Sequence, residues 1–131
     1  MVASLLFRGE GSQLITAVRA GLPFDSFTAL RLTLKLSNEE LAQLLSIPRR
    51  TLTKRQKEGA FTSSESNAIS RVARIYREAV GFFSDEERAL RWLKTPLPAL
   101  DHRTPLSLLD TDPGAEVVST LLRQLAWGIY P

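Results

Sequence analysis

Residues 37–59, SNEELAQLLSIPRRTLTKRQKEG, decide what this chain folds into. They read as two short helices about a tight turn. Ser37 and Glu40 form a capping box: the hydroxyl accepts from a free amide at the helix start, and the carboxylate reaches back to the Ser37 amide. Leu41, Ala42, Leu44 and Leu45 then make an apolar stripe at helical spacing. Ser46-Ile47-Pro48 interrupts it, because Pro48 disfavours helix at Ile47 and is itself suited to open the next helix. That helix runs from Arg49 to Lys57 and stops at Gly59, a natural C-terminal cap.

The second helix carries the charge. Arg49, Arg50, Lys54, Arg55 and Lys57 are five of the 17 basic residues, and the net charge is +3, so removing these five leaves the rest of the chain at −2. Basic character this local is what a phosphate-contacting surface requires. Ala42 is small where two crossing helices touch, and Ile47 and Leu52 are apolar where a helix-turn-helix buries its inner face. Arg49, Arg50, Thr51, Thr53, Lys54 and Lys57 are then the candidate DNA contacts. Arg forks onto guanine, and a Thr methyl meets the thymine methyl. The plainer alternative is a solvated charged face on an ordinary helical hairpin. Two positions depart from the usual pattern: Ser46 stands where a turn glycine is common, and Arg55 where a third buried apolar residue is often found.

At 131 residues the chain holds one domain, or two small ones, and with 44% hydrophobic residues it can bury a core. It has no cysteine, which removes disulfides and thiolate chemistry and fits a cytoplasmic protein. The apolar run in MVASLLFRGEG is too short for a signal peptide, and no run reaches the length of a membrane span. A sequence pI near 9.7 points to an acidic partner, nucleic acid being the commonest.

The rest of the chain reads as helices too. Residues 1–10 look loosely ordered, or like an arm that docks on something. Ser12 is placed to cap a helix to Ala20 with Leu14, Ile15 and Val18 on one face, and Gly21-Leu22-Pro23 stops it. Asp25 is placed to cap the next, with Phe27, Leu30 and Leu34 inward and Leu32 a further candidate. A longer helix begins at Ser63 or Ser64 and runs to Phe83, with Ile69, Val72, Ala73, Tyr76, Val80 and Phe83 as its stripe. On its other side Arg74 and Glu78 stand at i, i+4. Ser84 with Glu87 reads as a second capping box, for a helix through Ala89, Leu90, Trp92 and Leu93. Thr104-Pro105 opens a short helix, and Thr111 or Asp112 with Pro113 opens the last one, in which Val118, Leu121, Leu122 and Leu125 face inward and which Gly128 closes. No stretch alternates like a strand. The fold class expected is all-α: a helical bundle with a helix-turn-helix, residues 1–80, followed by a small helical domain, residues 81–131.

Catalytic chemistry is hard to find. His102 is the lone histidine and sits in a loop beside Asp101. The acids cluster at helix starts, where the helix dipole favours negative charge. No metal-ligand cluster, phosphate loop or cofactor site stands out, so no enzyme and no cofactor is expected. The end of the chain is more distinctive. Trp127, Ile129 and Tyr130 place large apolar groups where few neighbours exist to bury them, so they either fold back on the core or insert into a partner's pocket.

The second half, AVGFFSDEERALRWLKTPLPALDHRTPLSLLDTDPGAEVVSTLLRQLAWGIYP, resembles the toxin-binding domain of the Xre/MbcA/ParS family of bacterial antitoxins. Phe82-Phe83, Ala89 to Leu93, Pro96, Thr104-Pro105, Leu108-Leu109-Asp110-Thr111, Gly114, Val117-Val118 and Leu121 through Gly128 carry the resemblance. The first half is similar to that family's Xre-like helix-turn-helix region, in the TLTKR core and in the pair Glu65-Ser66. The chain departs from the pattern where the family usually has glycine, near Phe83 and near Asp101-His102. The resemblance implies an antitoxin that neutralises a co-encoded toxin, commonly of the RES type, which consumes NAD or ADP-ribosylates proteins. It implies a C-terminal region that covers the toxin's active-site entrance, with Arg123, Trp127, Ile129, Tyr130 and Pro131 as the candidate toxin contacts. It also implies repression of the operon through operator DNA, and a homodimer in the cytoplasm. The alternatives are a helix-turn-helix regulator whose C-terminal half is only a dimerisation module, and an antitoxin that has lost DNA binding.

Overall fold

Every regular element of the computed structural model is helical among the described residues, 6–7 and 11–128. In chain order they are α1 (Gly11–Ala20), α2 (Asp25–Leu34), α3 (Asn38–Leu44), α4 (Arg49–Glu58), α5 (Ser63–Phe83), α6 (Glu86–Leu93), two 3₁₀ turns (Pro98–Leu100 and Leu106–Asp110) and α7 (Asp112–Ala126). Internal contacts divide the chain into two units, Met1–Ala73 and Arg74–Pro131. Helix α5 supplies residues to both.

The first unit is built on α2, α3 and the first half of α5. Phe27, Leu30, Leu34, Leu41, Ile69 and Val72 are almost wholly buried. Phe24, Phe27 and Phe61 form an aromatic cluster, with ring centroids 5.4–6.1 Å apart. Such pairs add about 1 kcal/mol each beyond the area they bury. Leu6 is buried as well and Phe7 half-buried, while the remainder of the proposed N-terminal arm lies outside the described residues. Three expectations fail here. Helix α1 buries none of its residues and Ile15 is exposed; Leu32 is 60% exposed on α2. Asp25 is the first residue of α2 rather than its cap; the capping position is Phe24, which makes no side-chain cap.

The turn between α3 and α4 explains why a serine there matters. The Ile47 amide donates to the Ala42 carbonyl (2.9 Å) and the Ser46 amide to the Gln43 carbonyl (3.1 Å). This is the Schellman pattern of a helix C-terminus, which needs a left-handed residue just past the cap. Ser46 supplies it at φ 58°. A β-carbon in that region costs about 1–2 kcal/mol, and glycine's extra chain entropy offsets part of the gain from removing it. Ser46→Gly is therefore expected to raise stability by about 0.5–1 kcal/mol, read as a shift of the urea midpoint at unchanged m.

The second unit packs α6, the two 3₁₀ turns and α7 around the far half of α5. Ile75, Ala79, Ala89, Leu93, Leu109, Ala115 and Val118 are fully buried. The buried Ser119 hydroxyl donates to Glu78 Oε1 at 2.6 Å, and Arg74 donates to Glu78 Oε2 at 2.9 Å, so one carboxylate ties α7 to α5. Thr111 caps α7 by accepting from the Gly114 amide at 3.0 Å, with Pro113 in the first turn. The second expected capping box is corrected. Asp85, not Ser84, caps α6, its carboxylate accepting from the Glu87 amide at 3.2 Å. Ser84 instead ends α5 in the left-handed region at φ 55°, its amide donating to the Val80 carbonyl at 2.7 Å. Asp101 and His102 also sit at positive φ, 56° and 62°.

Candidate nucleic-acid and partner-binding surfaces

Helix α4 is positioned by polar groups and by its ends. None of its residues is buried; Leu52, expected on the inner face, is half-buried, while Ile47 just before the helix is 5% exposed. At the N-terminus the chain enters from Pro48, in extended conformation. At the C-terminus Gly59 takes φ 86°, and its carbonyl accepts from the Phe24 amide at 2.9 Å. The Phe61 amide then donates to the Leu22 carbonyl, and the Leu22 amide to the buried Ser66 hydroxyl at 2.7 Å.

Between its ends the helix is held by Arg55. Its Nε donates to Glu65 Oε1 at 2.7 Å and its Nη1 to Glu58 Oε1 at 2.9 Å. The Arg55 and Glu65 side chains are each only 16% exposed. Glu65 also accepts from the Thr62 amide (2.9 Å), and Thr62 Oγ1 from the Glu65 amide (3.1 Å), a reciprocal capping box for α5. The pair Glu65-Ser66 thus fastens both the charged helix and the turn behind it. Burial alone would raise the Glu65 carboxyl, but the hydrogen bonds from Arg55 and Thr62 outweigh it together and hold it below its ordinary value. A group whose carboxyl is lowered on folding stabilises the fold above its unfolded value, about 4.3, and that contribution is lost as pH falls through the folded value. Wild-type stability is expected to fall more steeply than that of Glu65→Gln as pH drops from about 5 to 3, followed by denaturant melts at each pH.

Most of the candidate DNA contacts lie away from Arg55, but Thr51, one turn before it, shares its face. Arg49, Arg50, Thr53, Lys54 and Lys57 are exposed and Thr51 is half-buried. Arg50, Lys54 and Lys57 have no acidic partner among the described residues, and Arg49 approaches Glu39 only at 3.8 Å with both side chains largely in solvent. Such an exposed pair contributes little and opens readily. Thr53 donates its hydroxyl to the Arg49 carbonyl at 3.1 Å. A groove of about 660 Å³ between α3 and α4 is lined by Asn38, Glu39, Gln43, Arg49, Thr53 and Gln56 among others. Its polar groups Asn38, Gln43 and Gln56 lie outside the basic pattern of the helix, which the sequence shows as charge alone.

In the second unit Trp127 caps α7 and is 82% exposed; Trp92 is half-buried, its ring 6.0 Å from Phe83. Arg123 is exposed and donates to Thr120 Oγ1 at 3.2 Å. Glu116, Thr120, Arg123 and Trp127 follow i, i+4, i+7, i+11 spacing, so the two candidate contacts share one face of α7. Ile129, Tyr130 and Pro131 lie outside the described residues. Among the described residues no group of three or more His, Asp or Glu side chains is arranged to hold a metal ion, and no helix is long and apolar enough to cross a membrane.

Two family models match. Residues 13–74 match the antitoxin Xre-like helix-turn-helix domain, and residues 79–128 the antitoxin Xre/MbcA/ParS C-terminal toxin-binding domain. The chain is similar to antitoxin Xre of Yersinia enterocolitica, 34% identical over 92% of this chain and 83% of that protein. It is 31% identical to antitoxin Xre of Photorhabdus laumondii, over 92% of this chain and 82% of the other. With antitoxin Xre of Pseudomonas putida it shares 35% identity over 63% of this chain and 52% of the other.

Proposed function

Because this chain belongs to the Xre antitoxin family, with a helix-turn-helix and a toxin-binding domain, we propose that it neutralises its cognate toxin by occluding the toxin's active site with the α7 terminus and represses its own operon through α4. The observation that carries the reading is Trp127: a large aromatic group, 82% exposed, ends the domain that matches a toxin-binding family. An unburied tryptophan is a strong anchor for a partner pocket. Beside it Arg123 is placed to meet a carboxylate or phosphate at the pocket rim. Ile129, Tyr130 and Pro131 continue into the cavity in this reading. Inhibition of this kind works by exclusion, so the antitoxin needs no reactive group of its own. The toxin is of the RES type that the resemblance implies, and the NAD chemistry belongs to it.

The DNA half rests on α4. Its unpaired cations Arg50, Lys54 and Lys57, with Arg49, approach phosphates and base edges in the major groove, and two copies in a cytoplasmic homodimer meet two half-sites. Arg50→Ala or Lys54→Ala is expected to weaken promoter binding and to lower the salt slope by about 1 for a phosphate contact, at unchanged toxin neutralisation. If either substitution abolished neutralisation in a folded chain, the two activities would not be separate surfaces.

A further inference from the structure

Arg55 belongs to the most basic helix of the chain, yet it faces away from the exposed cations and is bound by two carboxylates. We propose that the Arg55–Glu65 clamp is the positioning device of the recognition helix: Arg55 orients α4 for DNA without touching it, and Glu65 is as necessary to operator binding as any cation. This rests on the reading of α4 as the DNA-contacting helix.

Four observations converge. Helix α4 has no fully buried residue and Leu52 as its one half-buried apolar side chain, so apolar packing holds its rotation only weakly. Arg55 occupies the place where a third apolar contact would do so, and its side chain is 16% exposed. Its planar fork is filled on two sides, by Glu65 at 2.7 Å and Glu58 at 2.9 Å, which leaves it poorly placed to reach a phosphate. Glu65 is in turn immobilised by the Thr62 amide at 2.9 Å, at the start of the long helix α5, so the clamp refers α4 to a rigid element. A rotation of about 10–20° about the α4 axis shifts the tips of Arg50 and Lys54 by more than the roughly 0.5 Å that bidentate base contacts tolerate.

The test uses the full-length chain and a fragment of its own promoter, across a series of salt concentrations, below the melting temperature of every variant. Arg55→Met and Glu65→Gln are each expected to lower affinity about tenfold while the slope of log K against log salt stays at its wild-type value. The double variant is expected to be no worse than either single one, since both remove the same clamp. Arg55→Lys keeps the charge and loses the fork, so it is expected to fall with Arg55→Met. A slope lowered by about 1 in Arg55→Met makes Arg55 a phosphate contact and overturns the proposal. Undiminished affinity in Glu65→Gln overturns it equally.

Hydrogen exchange on the free chain reads the clamp without DNA. Residues 49–58 are expected to exchange faster in Glu65→Gln, while residues 112–126 keep their protection. Unchanged exchange in α4 overturns the proposal even if promoter binding falls. Absence of salt-dependent promoter binding by the wild-type chain overturns the DNA reading itself, and the exchange experiment then still decides whether Glu65 holds α4.

Discussion

Trp127→Ala is expected to weaken the complex with the cognate toxin by about 2–4 kcal/mol, on the order of a hundredfold in affinity, and to restore toxin activity at antitoxin concentrations that silence it now. The size follows from the side chain. A tryptophan that passes from 82% exposed to a dry pocket contributes more than any other residue on α7 can. The free antitoxin should hardly notice, because an exposed side chain has little to lose; its melting free energy is expected to move by no more than about 0.5 kcal/mol. Promoter binding should be unchanged. Isothermal titration against the toxin, with a denaturant melt of the free variant, checks both halves. A wild-type affinity for the toxin in the variant would remove Trp127 as the anchor.

A large effect on the fold is expected at Gly21. It sits at φ 98°, and a β-carbon there would overlap the Phe61 carbonyl oxygen, which belongs to the backbone and cannot swing aside. Relieving that overlap would pull apart the Phe61–Leu22 hydrogen bond, the Leu22–Ser66 bond and the Phe24–Gly59 bond that seats the end of α4. Gly21→Ala is expected to cost about 3 kcal/mol or more, the sum of left-handed strain and displaced backbone. Gly59→Ala separates the two causes. Its φ is 86° but nothing lies within 4 Å of the added carbon, so it is expected to cost only about 1–2 kcal/mol. Equal losses in the two variants would mean that the close approach at Gly21 contributes nothing.

Features written in neighbouring residues were legible. Ser37 and Glu40 make the predicted reciprocal bonds, at 3.1 and 2.8 Å, because a capping box needs only three residues of chain. Pro48, Gly59, Thr111 with Pro113 and the Arg74–Glu78 pair were readable for the same reason. The all-helical class followed from the 3.6-residue period of apolar positions, and Ile69, Val72, Ala73 and Tyr76 are buried as that period requires.

What depended on distant partners was not legible. By sequence Arg55 belongs with the cations of α4, since its main partner Glu65 lies ten residues on, in another helix. A signal did exist: Thr62-Ser63-Ser64-Glu65 has capping-box spacing, which would have fixed Glu65 near the C-terminal end of α4. Ser84 and Asp85 compete for one cap, and the left-handed backbone of Ser84 at the end of α5 leaves the cap to Asp85, a backbone requirement that residue preference does not record. Ile15 and Leu32 satisfy helical periodicity and are still exposed, because periodicity marks an apolar face without saying what covers it. The candidate contacts on α4 and α7 were recognisable as unusual, one by charge without acids, the other by aromatic mass at a helix end. The roles proposed for them rest on the family and on exposure rather than on local pattern.

A crystal structure of the antitoxin bound to its toxin tests the account most directly. It should show the Trp127 side chain sequestered by the toxin at the mouth of its active site, residues 129–131 filling that mouth, and α4 left clear for DNA. A complex in which the toxin sits on α4, with Trp127 in solvent and the toxin's cavity open, would contradict it.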